Sequence, residues 1–309
     1  LAVVVTAHPL ATVAARTMLM KGGNAVDALV AAQTVLAVVE PQSSGLGGGG
    51  FLLHWNAQHR HLDVLDGREQ APGSSHPDDL LQPDGDPLSW RLASSQLRAI
   101  GIPGTVALLW DAHQRWGHLP WKNTFQPAIN LAQKGFRTTP RLLRSISLAQ
   151  RIGTRHSAGF NRLYRPDSEH LSLNQVFRNP ALGDTLEQIA RDGGTTFYDG
   201  ALAAQILKVM ADLGSKERAF QGWSAADLKN YTVIRRRPVC HPIQRWKLCT
   251  VPPPSGGGLA ILQTLALLEA TGPMSTPKEP RAWQRFATAL QWADADRFYW
   301  VNDPSDWPV

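Results

Sequence analysis

The sequence predicts one layered α+β domain spanning residues 1–309. Three observations support this prediction. Segments with helical and with strand periodicity follow one another in mixed order, which is typical of α+β proteins. Hydrophobic residues make up 43% of the chain, enough to bury a sizeable core. The sequence also contains no internal repeat and no low-complexity linker that would divide it.

The first elements are predicted from apolar spacing and capping residues. Residues 1–5 are predicted as a strand, and residues 10–21 as a helix that ends at a glycine pair, a natural C-cap. Asn24 is predicted to cap a second helix over residues 25–39, whose apolar residues on almost every side are typical of a helix packed between other layers. No basic segment or cleavage pattern marks an export signal, so we expect that one was removed or was never present.

A hairpin and further helices follow. Residues 51–55 and 61–65 are predicted as strands joined by a polar turn. Residues 72–95 are rich in Pro, Asp and Ser and predict a loop, whereas residues 142–174 have weak periodicity and are a candidate mobile segment. Further helices are predicted over residues 105–116, 124–135, 181–193, 200–213 and 259–269.

Charge and hydropathy argue against several classes of protein. The 31 Lys and Arg residues exceed the 25 Asp and Glu residues, but they are dispersed and lack interleaved aromatic residues, so no nucleic acid is expected as a partner. The most apolar stretch, residues 29–39, is far shorter than the ~20 residues of a membrane-spanning helix, so we expect a soluble protein. The ten histidines are scattered without metal-ligand spacing, and no metal or cofactor is expected.

The two cysteines lie in a segment that predicts a hairpin turning at Gln244 and Arg245. In that register Cys240 faces Cys249 at a non-hydrogen-bonded pair, where Cβ atoms come close. A disulfide is therefore feasible and would indicate an oxidising compartment. Two thiols packed as small hydrophobic residues are an equally good interpretation of the sequence.

The segment from Ser43 to Gly50, called here the glycine-rich loop, ends in four consecutive glycines. Such a backbone can approach a neighbouring chain closely. A phosphate-binding P-loop runs from strand to glycines to Lys and helix, but here the order is helix, glycines, strand, and no Lys follows. A tight crossing in a packed core is therefore the favoured interpretation of the residues alone.

Arg68 is the candidate substrate-binding residue. It follows the second predicted strand and lies between Asp66 and Glu69. A lone arginine in such a place commonly forms a surface ion pair. Alternatively, its planar guanidinium binds a substrate carboxylate, and the two flanking acids hold it in orientation.

Seven motifs follow one another as they do in the γ-glutamyltransferase family. They are Asn24–Ala28, Glu40–Phe51, Asp66–Pro72, Ile102–Val106, Phe197–Gly200, Asp227–Tyr231 and Pro252–Gly258. Each is weak alone, but together they span nearly the whole chain, and Ala293–Arg297 with Asp303-Pro304 resembles a further landmark. The sequence thus resembles the large subunit of a γ-glutamyltransferase (γ-glutamyltranspeptidase).

This resemblance implies the αββα sandwich of N-terminal-nucleophile hydrolases. Members of the family cleave themselves into two subunits, and the N-terminal Thr of the small subunit attacks the γ-glutamyl amide to form an acyl-enzyme. The arginine of the matching motif holds the glutamyl α-carboxylate, which implies that role for Arg68. The implied partners are a small subunit carrying this Thr and a small γ-glutamyl substrate such as glutathione. The implied location is periplasmic or secreted.

The nucleophile motif of the family, Thr-Thr-His, is absent from this chain. Thr195 and Thr196 form a similar pair, but their neighbours match the landmark at Phe197–Gly200, so no catalytic residue is assigned here. Because the sequence ends at Val309, before the family's cleavage point, we expect the chain to be inactive alone. The catalytic half would be a second chain, or it would have been lost by truncation.

Two alternatives stay open at the level of sequence. One is a related acylase, such as a cephalosporin acylase or a capsule-polymer transpeptidase, and the other is a non-catalytic binding homologue. Gln70 stands where Thr is common, and Ser255-Gly256 replaces the usual Ser-Ser-Gly. These two departures allow a relaxed choice of substrate.

Overall fold

The computed structural model describes residues 2–152, 157–165, 170–214, 222–272, 276 and 278–304. Contacts divide the chain into two compact units. Unit 1 comprises residues Leu1–Gly50 and Gly67–Val233, and unit 2 comprises Phe51–Asp66 and Ile234–Val309. The single-domain organisation expected from the sequence stays a prediction.

Helices dominate the described residues. In chain order the elements are α1 (Pro9–Met20), α2 (Ala25–Val39), β1 (Gly50–Asn56), β2 (His61–Gly67), α3 (Trp90–Ala93), α4 (Thr105–Trp116), α5 (Trp121–Lys134), β3 (Phe136–Arg137), α6 (Pro140–Ile152), α7 (Ala158–Tyr164), β4 (Val176–Phe177), α8 (Pro180–Asp192), α9 (Ala201–Gly214), α10 (Ala225–Lys229), β5 (Ile234–Arg236), β6 (Val239–Ile243), β7 (Trp246–Thr250), α11 (Gly256–Ala270) and α12 (Pro280–Trp300). Short 3-10 turns cover Pro77–Leu80, Leu97–Ala99 and Gly194–Phe197.

The first two helices form as their capping residues predict. Gly22 takes a φ of 86° after α1, a conformation that glycine adopts without strain. The side chain of Asn24 accepts hydrogen bonds from the first-turn amides of α2, and the Asp27 carboxylate accepts one from the Asn24 amide at 2.8 Å. The strand predicted for residues 1–5 is wrong for the described residues 2–5, because no neighbouring strand there supplies the ladder that a strand needs.

Helix α2 lies in the core of unit 1. Val30, Val35 and Val39 are completely buried, and α2 packs against α1, α4 and α5. The buried Asp27 carboxylate also accepts hydrogen bonds from the amides of residues 118 and 119, each at 3.1 Å. Because a buried carboxylate is costly without such donors, these bonds fix α2 against the loop between α4 and α5.

The segment predicted to be mobile contains two packed helices in its described part. Leu142 of α6 is buried, and Tyr164 of α7 stacks on Phe177 with 5.5 Å between ring centroids. Arg141 also donates to the buried Glu40 carboxylate at 2.7 Å. The weak periodicity of residues 142–174 therefore understated their helix content, while their mobility stays a prediction. Parts of this segment, 153–156 and 166–169, lie outside the described residues.

Unit 2 contains the predicted hairpin in a three-stranded sheet of order β1-β2-β5. Strands β2 and β5 are antiparallel, with Val64 opposite Arg236. The Arg236 guanidinium donates to the buried Asp66 carboxylate at 2.6 Å. This ion pair joins β5 to the end of β2, immediately before the chain reaches Arg68.

The cysteine hairpin has the predicted register. Strands β6 and β7 pair with Cys240 opposite Cys249, at a Cα separation of 4.1 Å, and the two residues form a disulfide. The turn is at Gln244 and Arg245, as predicted. Of the two interpretations that the sequence left open, the structure has the disulfide.

Candidate substrate-binding site

Arg68 lies where the chain leaves β2 and lines a cleft in unit 1. The cleft has a volume of about 590 Å³, within the range of roughly 300–1,000 Å³ that is usual for small-molecule sites. The Arg68 side chain is 65% exposed, so its guanidinium is accessible from the cleft. The other polar side chains of the cleft wall are those of Glu69, Gln70, Ser75, His76, Asp79 and Arg98.

The backbone of Arg68 is held by two stacked tyrosines. The Tyr231 hydroxyl donates to the Arg68 carbonyl at 2.7 Å, and the Tyr231 ring stacks on that of Tyr198, with centroids 5.4 Å apart. Tyr198 in turn donates to the Pro103 carbonyl at 2.8 Å and accepts from the Ala107 amide at 3.1 Å. Burial raises the pKa of the Tyr198 hydroxyl, so this donor keeps its proton. The Arg68 backbone is therefore fixed to the first turn of α4.

The guanidinium of Arg68 lies beside the Glu69 carboxylate. Arg68 Nε is 3.1 Å from Glu69 Oε2. That oxygen is buried and accepts no well-aligned hydrogen bond from the residues described, so the contact is electrostatic rather than a directional pair. Glu69 thus lies beside Arg68, as expected of a flanking acid, and its orienting role stays a prediction. The Asp66 carboxylate binds Arg236, and its influence on Arg68 stays a prediction.

The glycine-rich loop crosses the chain closely at Arg68, but none of its glycines at 47–50 is buried, so the crossing is tight without lying in the packed core that the sequence favoured. A Cβ atom on Gly49 would lie 2.5 Å from the Gly67 carbonyl oxygen and 2.8 Å from the Glu69 amide nitrogen, distances that real Cβ atoms do not tolerate. The Gly48 carbonyl accepts hydrogen bonds from the amides of Gly104 and Thr105 at 2.8 and 2.9 Å. The loop thus connects the start of α4 to the backbone on either side of Arg68.

The position of Gln70, a departure from the family pattern, is fixed by backbone pairing. Its amide donates to the Ile102 carbonyl at 3.2 Å, and the Ile102 amide donates back at 2.7 Å. Its side-chain nitrogen lies 3.4 Å from the Thr232 carbonyl, so it donates only a long hydrogen bond there. Gln70 therefore lines the cleft in a defined position.

The other departure, Ser255-Gly256, lies in unit 2 at the start of α11. A Cβ atom on Gly256 would lie 2.6 Å from the Cγ and Cδ atoms of Arg297. Glycine therefore gives α12 room to pack against this terminus. Neither residue is among those that line the cleft.

Sequence reasoning missed the far wall of the cleft. Residues 75–77, 79–80 and 98–101 line it, and they include parts of the 3-10 turns Pro77–Leu80 and Leu97–Ala99. The sequence signal there is weak, because a Pro- and Asp-rich stretch predicts only a loop. Arg98, three residues before Gly101-Ile102, was detectable as a cation close to a glycine motif, but no rule assigns it a role.

Two negative findings hold for the part of the chain that is described. It contains no group of three or more His, Cys, Asp or Glu side chains arranged to hold a metal ion. None of its helices is long and apolar enough to cross a membrane. Thr196, one member of the Thr pair, is buried in a 3-10 turn outside the cleft wall.

A sequence model of the gamma-glutamyltranspeptidase family matches residues 11–309. The chain belongs to this family. It is 33% identical over 304 residues to a glutathione hydrolase proenzyme of Bacillus subtilis (strain 168), a match that covers 97% of this chain and 50% of that protein. It is also 33% identical to a glutathione hydrolase proenzyme of Escherichia coli (strain K12), with 93% and 48% covered. This γ-glutamyltranspeptidase-family chain thus spans about half the length of the curated relatives it matches.

Solved structures of the family have the same fold. The gamma-glutamyltranspeptidase from Pseudomonas nitroreducens, solved in complex with L-DON, superposes with a TM-score of 0.90 at 30% identity, covering 100% of this chain and 89% of that chain. The Helicobacter pylori gamma-glutamyltranspeptidase gives a TM-score of 0.91 at 29% identity, covering 100% and 86%. These likenesses confirm the predicted fold class, an α+β protein of the N-terminal-nucleophile hydrolase type.

Proposed function

We propose that this chain is the large-subunit part of a γ-glutamyltransferase or glutathione hydrolase, and that Arg68 binds the α-carboxylate of its γ-glutamyl substrate. The observation that carries the proposal is the position of Arg68 on the wall of a ligand-sized cleft, in a chain that matches the family from residue 11 to residue 309. The match to about half of each proenzyme supports a partner chain that supplies the nucleophile.

In the proposed reaction this chain binds and orients the substrate. The Arg68 guanidinium presents parallel N–H donors that suit both oxygens of a carboxylate. Glu69 limits the motion of the guanidinium, and Tyr231 holds the backbone beneath it. Binding the α-carboxylate at a fixed point places the γ-amide at a fixed distance from it, which lowers the entropic part of the barrier.

The partner chain would perform the covalent step. The hydroxyl oxygen of its N-terminal Thr attacks the γ-amide carbonyl carbon, and the α-amine of that Thr takes the hydroxyl proton. The C–N bond breaks, and the leaving amine takes that proton. Water then resolves the acyl-enzyme in hydrolysis, or an acceptor amine resolves it in transfer. In this scheme no residue of the present chain is a catalytic residue.

The exposed aromatic side chains of α12 support the proposal that a partner chain binds. Helix α12 of unit 2 has 21 residues and only three buried ones, all of them alanine. Its exposed aromatic residues are Trp283, Phe286, Trp292, Phe298, Tyr299 and Trp300. Large exposed apolar patches mark interaction surfaces. We propose that the small subunit covers part of this face.

The disulfide supports the proposed location. Disulfides persist in oxidising compartments and are rare where thioredoxin and glutathione keep thiols reduced. The Cys240–Cys249 bond therefore favours a periplasmic or secreted protein over a cytosolic one.

A related acylase activity is the second candidate. The cephalosporin acylase from Bacillus halodurans superposes on this chain with a TM-score of 0.84 at 26% identity, covering 98% of this chain and 55% of that chain. The covalent step would be the same and only the acyl group would differ. In the non-catalytic alternative, this chain would keep the cleft, but no second chain would supply a nucleophile.

The test uses the native protein recovered from fractionated cells. We expect the exported fraction to hydrolyse γ-glutamyl-p-nitroanilide, and mass spectrometry to show a second polypeptide that begins with Thr. Turnover of cephalosporin side chains but of no γ-glutamyl donor would favour the acylase. The absence of any second polypeptide would favour the binding homologue.

A further inference from the structure

A second arginine lines the same cleft as Arg68. Arg98 is half-buried in the 3-10 turn Leu97–Ala99, and its Nη1 donates to the Asp79 carbonyl at 2.7 Å. Like Arg68 it presents a positively charged guanidinium with several N–H donors. The cleft wall therefore holds two cationic forks, together with the carboxylates of Glu69 and Asp79.

The turn that carries Arg98 and the turn Pro77–Leu80, to which Arg98 donates, are both held by hydrogen bonds. The Asp79 carboxylate accepts a hydrogen bond from the His76 amide at 2.8 Å, which caps the turn Pro77–Leu80. Trp223 Nε1 donates to the Ile100 carbonyl at 3.2 Å, on the other side of Arg98. Because these contacts order the turn before a ligand arrives, binding at Arg98 costs less conformational entropy.

We propose that Arg98 binds a second carboxylate, so that the cleft favours γ-glutamyl peptides with an unblocked C-terminus. This inference rests on the proposed function, in which Arg68 takes the α-carboxylate. A γ-glutamyl peptide carries two carboxylates, one at the glutamyl α-carbon and one at the far end of the peptide. Two arginines on the wall of one cleft of about 590 Å³ match that pair in number and in charge.

Substrate pairs that differ only in the second carboxylate test the proposal. The assembled two-chain enzyme is assayed with glutathione and with its C-terminal amide. The wild-type enzyme should have a KM about tenfold lower for glutathione, the usual order for a hydrogen bond to a charged group. Arg98→Gln should remove this difference by raising the KM for glutathione alone. Equal wild-type KM values for the acid and the amide would overturn the proposal without any variant.

Two further variants separate binding from structure. Arg98→Lys keeps the charge and should keep part of the preference for the acid. Arg91→Gln removes a nearby arginine that donates to the Arg151 carbonyl and does not line the cleft, so the preference should be unchanged. If Arg98→Gln raises the KM for acid and amide alike, Arg98 acts on the fold and the proposal is wrong. Hydrolysis of neither substrate nor of γ-glutamyl-p-nitroanilide by the wild-type enzyme would instead overturn the proposed function.

Discussion

The position of Arg68 is set by its neighbours on two levels. Tyr231 fixes its backbone through the carbonyl oxygen, and Glu69 faces its guanidinium at 3.1 Å. The hydrogen bond from Tyr231 involves the backbone of Arg68 and leaves the guanidinium accessible to a ligand. The electrostatic contact with Glu69 is weak because the Arg68 side chain is exposed. The guanidinium, 65% exposed, is thus accessible to a carboxylate ligand beside Glu69.

Substituting Arg68 tests its proposed role. Arg68→Ala should raise the KM for γ-glutamyl-p-nitroanilide by about 30-fold, because losing a charge-assisted pair costs about 2 kcal/mol at the lower end of its range. Steady-state kinetics of the assembled enzyme measure this change. Lys122→Ala, which removes an exposed cation of α5 outside the cleft, is the control and should leave KM unchanged. An unaltered KM in Arg68→Ala would refute the carboxylate-binding role.

Only part of the cleft was predictable from the residues. Arg68 was predicted as a binding residue because it lies in a motif that follows a predicted strand. Such a motif can be recognised from neighbouring residues in the sequence alone. Arg98 and Asp79 lie on two short turns, 19 positions apart in the sequence. The hydrogen bond from Arg98 Nη1 to the Asp79 carbonyl brings these turns together. No periodicity or motif encodes that approach, so the place of Arg98 on the cleft wall was visible only in the structure.

At the scale of elements, the glycine-rich loop connects the cleft to the core. The Gly48 carbonyl accepts hydrogen bonds from two backbone amides at the start of α4. Gly49 lies against the backbone at Gly67 and Glu69. A side chain at position 49 would therefore displace the backbone next to Arg68, whereas a methyl group at Gly50 would meet nothing within 4 Å. These two glycines form a matched pair for substitution.

We expect Gly49→Ala to destabilise the protein by about 1–3 kcal/mol, the usual cost of overpacking a tight site. The KM for γ-glutamyl substrates should rise as well, because the backbone on either side of Arg68 shifts. Gly50→Ala should change both much less. Denaturant unfolding and steady-state kinetics of the assembled variants measure these effects. Equal stabilities of the two variants would contradict the tight crossing.

The elements that sequence patterns predicted well are those with a buried face or a cap. Helix α4 has the predicted bounds because its apolar spacing and its neighbouring glycines agree. Helix α12 was missed because its aromatic residues are exposed, so no amphipathic pattern marks it. The disulfide could not be decided from sequence, since it depends on a register that only the paired strands establish.

At the scale of the whole molecule, this chain spans about half the length of the curated relatives it matches. The match to the B. subtilis proenzyme covers 97% of this chain and 50% of that protein. The same chain covers 89% of the chain in the P. nitroreducens structure, so that chain is of similar length. The described strands form one three-stranded sheet and two two-stranded ribbons.

The final prediction concerns the isolated chain. Purified residues 1–309 should hydrolyse no γ-glutamyl-p-nitroanilide, because the sequence contains no Thr-Thr-His motif and the proposed nucleophile belongs to the partner chain. The chain should also bind a hydrophobic dye such as anilinonaphthalene sulfonate at its exposed aromatic residues, and co-expression with the small-subunit polypeptide should lower the dye fluorescence while activity appears. A partner whose N-terminal Thr is replaced by Ala provides the control, since it should lower the fluorescence without restoring turnover. Turnover by the isolated chain would show that a nucleophile lies within residues 1–309 and would overturn the division of roles proposed for the two chains.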